Sequence, residues 1–286
     1  MELFGQLLEK KRAAFLFIFI ATSLIYLPVI YGYFLHTDDY LVSYWGGFSC
    51  GAMVKWTIPM GRPLAGVIYC LTPLISNFSW VWVLRAFCVM NIFLIGYLLW
   101  KWMIHWKVEG HIAFLVAVAV VSLPAFQVFA SYMATFPHAT GVTVGLLALF
   151  SVRNSPRLAV VLLVISLSLN QAATLIYCAA LAVPIFMSNS DSFLKVWPSK
   201  LLGYMKILFL GMGIYYLIYR VSAAIWKYPS QGKYDGRLFV RNYGERIKWF
   251  FTSTLHENSS LWFIDPPTII YWIVCGAMAL ILGGVM

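Results

Sequence analysis

Two adjacent carboxylates, Asp38 and Asp39, sit in the run His36-Thr37-Asp38-Asp39-Tyr40, directly after an uncharged stretch from Ala13 to Leu35. A pair placed there is close to an apolar environment yet reachable from water. Partial desolvation and mutual repulsion favour the neutral form of one carboxylate, which suits a general base. Adjacent residues do not share a helix face, so the two converge only in a loop or turn. The same pair is also what a water-exposed loop contains, and position alone does not separate the two readings.

Other residues could act with them. In Gly61-Arg62-Pro63-Leu64 the proline suits a first helical turn. Arg62 could pair with Asp38 or Asp39, hold a phosphate bidentately, or anchor to lipid headgroups. Arg85 lies in an otherwise apolar stretch near its outer end, where snorkelling towards water is expected. Tyr132, Thr135, Phe136, Pro137 and His138 form a polar and aromatic turn, and Asn170-Gln171 a second one facing it. Buried amides need partners, so Asn170 and Gln171 either bridge helices or bind hydroxyls. Lys227, Lys233, Arg237, Arg241, Arg246 and Lys248, interleaved with Tyr234, Phe239 and Tyr243, could grip a phosphate or coat a membrane surface. The sequence has no GxGxxG, GxxxxGK[ST], HExxH or GxSxG, so nucleotide binding, zinc proteolysis and serine hydrolysis lack a motif.

The elements that must position these residues follow from composition. Of the 286 residues 62% are hydrophobic and 10% charged, against roughly 25% charged in soluble domains, which excludes an ordinary soluble fold. A spanning helix needs about 20 mainly apolar residues. The net charge of +10 comes from basic residues at the ends of apolar stretches, facing lipid headgroups, and does not imply a nucleic-acid partner. The pattern predicts an all-α, polytopic transmembrane helical bundle of about eight spans.

The stretch from Ala13 to Leu35 is longer than a signal h-region and lacks a small-residue cleavage site, so it reads as a retained first span that leaves the cytoplasm after Lys10, Lys11 and Arg12. Residues 36–79 then form the first external loop. Arg62 to Ser76 is too short for a comfortable crossing and is expected to be an interfacial helix. Trp80 to Trp100 returns to a cytoplasmic Lys101, His105 and Lys107. Ile112 to Val152 predicts a helical hairpin whose external turn holds Phe126 to His138. Leu158 to Met187 is either one long tilted span or two short ones turning at Asn170-Gln171. Hydropathy slightly favours one span, which would place the basic segment 225–267 in the cytoplasm. Leu201 to Ala224 is a further span, and Thr268 to Met286 starts another. The five cysteines show no CxxC spacing, and a Cys50 to Cys70 disulfide is open only if that segment faces an oxidising space.

One span followed by an external Asp-Asp resembles the GT-C superfamily of membrane glycosyltransferases. Asp38-Asp39-Tyr40, Gly61-Arg62-Pro63-Leu64, Ser131-Tyr132 to Pro137, and Asn170-Gln171 look most like the O-antigen glucosyltransferases of the serotype-converting type. The likeness of layout covers nearly the whole chain, while the motifs are short. The chain stops within what would be the eighth span, as in a fragment or a shortened member. The resemblance implies a single GT-C-like transmembrane domain over 1–286, two short helices around Asn170-Gln171, and an external basic loop over 225–267. It implies transfer of a sugar, glucose in that family, from a polyprenyl-phosphate donor to a lipid-linked or surface glycan such as O-antigen, on the periplasmic face of a bacterial inner membrane. Asp38 or Asp39 would be the base, and the other would orient the acceptor or bind a divalent cation, Mg or Mn. Arg62, Lys233, Arg237 and Arg241 would bind the donor phosphate; Tyr132, His138 and Gln171 would hold the sugar. No nucleotide cofactor is expected. The alternatives are a transporter or lipid-linked-sugar flippase, with Asn170-Gln171 in a broken helix, and a non-catalytic membrane subunit.

Overall fold

The computed structural model describes residues 11–32, 51, 54, 57–70, 81–131, 135–171, 176–181, 183 and 190–225. The chain divides into two compact units, 1–230 and 231–286, and all of these residues belong to the first. Eight helices occur among the described residues: α1 (Lys11–Tyr31), α2 (Pro63–Cys70), α3 (Val81–His105), α4 (Gly110–Val121), α5 (Pro124–Ser131), α6 (Phe136–Ser151), α7 (Pro156–Leu169) and α8 (Ser190–Ile225).

Among the described residues three helices are long and apolar enough to cross a membrane: α1, α3 and the Leu201–Ile225 part of α8; α4 and α5 make a fourth if the bent pair is one span. Helices α6 and α7 are equally apolar but shorter, at 16 and 14 residues. The expected span over 268–286 lies outside the described residues.

Helix α1 shows why a membrane is the solvent. Its buried residues, Ala14, Ile18, Thr22 and Tyr26, recur every fourth position and so form one stripe. The opposite face carries Phe15, Leu16, Phe19, Ile20, Leu24 and Leu27, all exposed. A helix in water would put polar groups on that face; an apolar one demands lipid. The same holds for α8, where Phe209, Leu217 and Val221 are exposed.

The bundle is held by close approach and by side-chain bonds between helices, as expected where lipid supplies no hydrophobic drive for association. At Gly96 of α3 an added Cβ would stand 3.2 Å from Ile18 of α1 and 3.1 Å from Val121 of α4. Thr143 of α6 donates to the carbonyl of Asn91 at 3.3 Å, and Ser166 of α7 to that of Gly141 at 2.7 Å. The predicted external turn over Phe126 to His138 is instead mostly helix, because Pro124 opens α5 and Pro137 sits in the first turn of α6. Pro124 has no N–H for the Val120 carbonyl, which accepts from Leu123 at 3.1 Å. The α4–α5 pair bends by 56° there, and the hydroxyl of Tyr26 donates to the freed carbonyl of Val121.

The contacts also order the ends of the bundle. At one end, Trp102 of α3 packs edge-on to Phe150 of α6 and Tyr204 of α8. Its indole N–H donates to the carbonyl of Ala180 at 2.7 Å. Lys101 marks this end. At the other, Arg85 of α3 meets the end of α1 at Val29 and Gly32. Helix α7 begins at Pro156, beyond Phe150, and delivers Gln171 to the Gly32 end. The chain then turns back, since Ala180 lies again at Trp102. Helix α8 runs from Tyr204 at the Lys101 end past Gly211, against Leu163 of α7, to Tyr215 beside Gln171. Two segments meeting at Asn170-Gln171 therefore replace the single tilted span that hydropathy favours. The chain leaves α8 at Ile225 on the Gly32 end, as the two-segment reading requires.

Candidate functional site

Helical residues at Gly51, Val54 and Thr57 precede a turn at Gly61. The N–H of Arg62 donates to the Thr57 carbonyl at 3.0 Å and that of Gly61 to the Ile58 carbonyl at 2.8 Å. These nested bonds are a Schellman cap, which needs a left-handed residue at its penultimate position. Gly61 fills it with φ +73°. Pro63 then starts α2 with its φ already set for a helix and no N–H to leave unpaired. The sequence Gly-Arg-Pro is thus a stop and a start with one cation between them.

That turn is held from the break after α7 and from α8. Gln171 Nε2 donates to the carbonyl of Met60 at 2.9 Å and to that of Gly61 at 2.8 Å, and shares with Tyr215 Oη at 2.8 Å. The Tyr215 hydroxyl itself donates to the Gly61 carbonyl at 2.6 Å. Gln171 can reach across because Asn170 leaves α7 in extended backbone, φ −160° and ψ 117°. The helix-bridging alternative for the amide is thus realised: its N–H groups are committed to the Gly61 turn.

Arg62 is half-buried and its Nε makes no hydrogen bond among the described residues. Desolvation by burial pulls its pKa below the ordinary guanidinium value, opposed by the neighbouring Tyr69 and Tyr215. A guanidinium stays charged at neutral pH regardless. His138, in the first turn of α6, lies within electrostatic reach of Arg62. It is 7% exposed. Its Nδ1 makes no hydrogen bond of ordinary geometry among the described residues, although the Thr135 backbone stands beside it. Phe129 flanks the ring, and Tyr69 of α2 packs edge-on to Phe136. A half-buried cation with a spare donor, next to a buried imidazole with a spare nitrogen, is chemistry suited to an anionic or hydroxyl-rich ligand.

Three residues singled out in the sequence, Arg62, His138 and Gln171, are brought together at the Gly32 end. Asp38 and Asp39, Tyr132, Lys233, Arg237 and Arg241 lie outside the described residues, and with them the proposed cation ligands. Sequence reasoning missed Tyr215, Tyr69 and the cap role of Gly61. A signal existed for Tyr215, since a phenol inside an apolar run needs a partner for its O–H.

Arg85 corrects an expectation. It is buried, at 1% exposure, and does not snorkel to water. Its Nη1 donates to the carbonyls of Val29, at 3.2 Å, and Gly32. The last carbonyls of a helix have no partner within it and carry its negative dipole end, so a cation there is favoured on both counts.

The chain matches no protein-family model, and no curated protein or solved structure is significantly similar to it.

Proposed function

We propose that this protein is a membrane glycosyltransferase moving a sugar from a polyprenyl-phosphate donor to a hydroxyl of a lipid-linked or cell-surface glycan. The observation that carries the reading is the convergence of Arg62 and His138, from separate segments, at the bundle end where α1 delivers the chain towards Asp38-Asp39. The stretch from Gly32 to Asp38 spans at most about 20 Å when extended. An acidic pair tethered that closely to α1 would, with a desolvated cation, serve transfer from a phosphate leaving group.

The orientation follows the positive-inside tendency. Lys11, Arg12, Lys101, Lys107, Arg153 and Arg157 all belong to the Lys101 end, which is then cytoplasmic. The Arg62 end faces outward, across a bacterial inner membrane crossed about eight times. Nucleotide sugars are not supplied on that face, which favours a lipid-phosphate donor, a polyprenyl-phosphate glucose in the resembling family.

In this mechanism one carboxylate of Asp38 or Asp39 takes the proton of the acceptor hydroxyl as its oxygen attacks the anomeric carbon. The bond to the phosphate oxygen breaks with inversion, and the polyprenyl phosphate leaves with the electron pair. Arg62 meets the charge growing on that phosphate, a preorganised cation in a partly dry site. Lys233, Arg237 and Arg241 remain candidates for the same role, and Tyr132, His138 and Gln171 for holding the sugar.

The test is transfer of radiolabelled glucose from its polyprenyl phosphate to endogenous glycan in membrane vesicles. Asp38→Asn or Asp39→Asn is expected to lower transfer by 10²-fold or more, a rough scale for loss of a general base. Full transfer with both variants, at equal protein in the membrane, would exclude the enzyme reading.

A further inference from the structure

Arg62 is a half-buried cation with no carboxylate paired to it among the described residues. The groups that act on its charge are the phenols of Tyr69 and Tyr215. The ion pair that does occur among those residues, His111 with Glu109, belongs to the Lys101 end. A cation in apolar surroundings is costly unless an anion meets it. Arg62, Ala65 and Tyr69 recur at spacings of three and four, so one face carries all three. Ala65 and Tyr69 are buried, and Tyr69 packs edge-on to Phe136, the first residue of α6, with ring centroids 5.7 Å apart. That face of α2 is therefore turned towards the start of α6.

Helix α6 ends with Phe150 beside Trp102, so its N-terminus, the positive end of its dipole, lies at the Gly32 end with Arg62. The first N–H groups of a helix have no partner within it. Thr135 precedes α6, but its side chain does not cap the helix. Its hydroxyl donates instead to the carbonyls of Val128 and Phe129, at 3.3 and 3.2 Å. Pro137 has no N–H, so the group that a cap would have met is that of His138. The His138 ring is an independent sign of a ligand. It is 7% exposed, its Nδ1 meets no partner of ordinary geometry, and it lies within electrostatic reach of Arg62.

We propose that the start of α6, His138 and Arg62 form one site for a tetrahedral oxyanion, the phosphate of a monoester. Arg62 supplies the charge and a planar fork. Helix α6 supplies its N-terminal N–H groups, and the imidazole, with its proton on Nδ1, a further donor. This deepens the transferase reading by moving His138 from the sugar to the phosphate, and it rests on that reading for the lipid that carries the phosphate. A sugar-bearing phosphodiester carries one negative charge, and the monoester released from it up to two. The cation and the dipole thus favour the leaving group over the intact donor, which is where stabilisation raises the rate.

The experiment is a thermal-unfolding titration of the full-length protein in detergent with farnesyl monophosphate, inorganic phosphate and, as a control, farnesol. Both phosphates, or the farnesyl ester alone, are expected to raise the midpoint, and farnesol to leave it unchanged. Protection by the ester at concentrations where inorganic phosphate gives none assigns the site to a lipid-borne phosphate; equal protection assigns it to the free anion. Arg62→Gln and His138→Gln are each expected to weaken the apparent affinity by about tenfold or more. Arg62→Lys, which keeps the charge and loses the fork, is expected to fall between Arg62→Gln and the parent, and serves in its place if the glutamine variant does not fold. No phosphate-dependent shift, or a shift that survives the Arg62 and His138 variants unweakened, would overturn the site. A shift weakened in the Arg62 variants alone would remove His138 from it. Protection retained in Asp38→Asn and Asp39→Asn proteins that transfer sugar as the parent does would keep the site and remove the transferase reading.

Discussion

The side-chain amide of Gln171 donates to the backbone carbonyl of Gly61 at 2.8 Å, across 110 residues of sequence. One bond thereby ties the break after α7 to the turn that presents Arg62, and Tyr215 of α8 closes the triangle. Gln171→Ala removes the donor, leaving the Met60 carbonyl without it and the Gly61 carbonyl with Tyr215 alone, in a part-buried site. The expected cost is about 1–3 kcal/mol. It is read as lowered thermal stability in detergent. Equal stability of the variant would show that water replaces the amide.

Gly61→Ala strikes the same joint from the other side. A Cβ at Gly61 would stand 1.7 Å from Gln171 Nε2, on a residue whose φ is +73°. The left-handed backbone alone costs about 1–2 kcal/mol with a Cβ present. Shortening Gln171 removes the severest part of the steric clash and leaves the Tyr215 hydroxyl at 2.7 Å. The Gly61→Ala, Gln171→Ala double variant is therefore expected to be less destabilised than the sum of the single variants, with a coupling of about 0.5–3 kcal/mol. Additive losses in the same thermal assay would contradict this geometry.

The membrane-spanning class was legible because length and uniform apolarity suffice to name α1 and α3. Pro63 as a helix start was legible because proline fixes its own φ. The break at Asn170 was visible only as an alternative: hydropathy sums over a window and cannot distinguish one tilted helix from two segments that fold back. Arg62, His138 and Gln171 could be nominated singly, since polar groups in apolar surroundings require a reason. The His138 turn and Asn170-Gln171 could be expected to face each other, but the bonds of Gln171 and Tyr215 to the Gly61 turn could not, because they depend on the path of α7 and α8. Arg85 was misread for a related reason. A cation near a helix end can reach water or a neighbouring helix terminus, and only the packing of α3 against α1 decides between them.

Arg85 yields a separate expectation. Arg85→Leu keeps the apolar volume of α3 but leaves the carbonyls of Val29 and Gly32 without their cationic donor. Loss of a charged hydrogen bond at a helix end is expected to cost about 1.5–3 kcal/mol. Arg85→Lys, which retains charge but not the planar fork, should fall between leucine and the parent. Unfolding in mixed micelles checks the order. A leucine variant as stable as the parent would mean that the arginine does not hold the end of α1.

The direction of α8 can be checked without any assay of activity. With Tyr204 beside Tyr177 and Tyr215 beside Gly61, α8 ends at Ile225 on the same side as Gly32. A cysteine placed just beyond it, by Ser230→Cys in a chain whose five native cysteines have been replaced by serine, is expected to react with an impermeant maleimide in intact cells. A second reporter, Asn154→Cys between α6 and α7 at the Lys101 end, is expected to react only after the cells are opened. The two positions must label oppositely, whichever end faces out. Labelling of both from one side would return residues 158–187 to a single span.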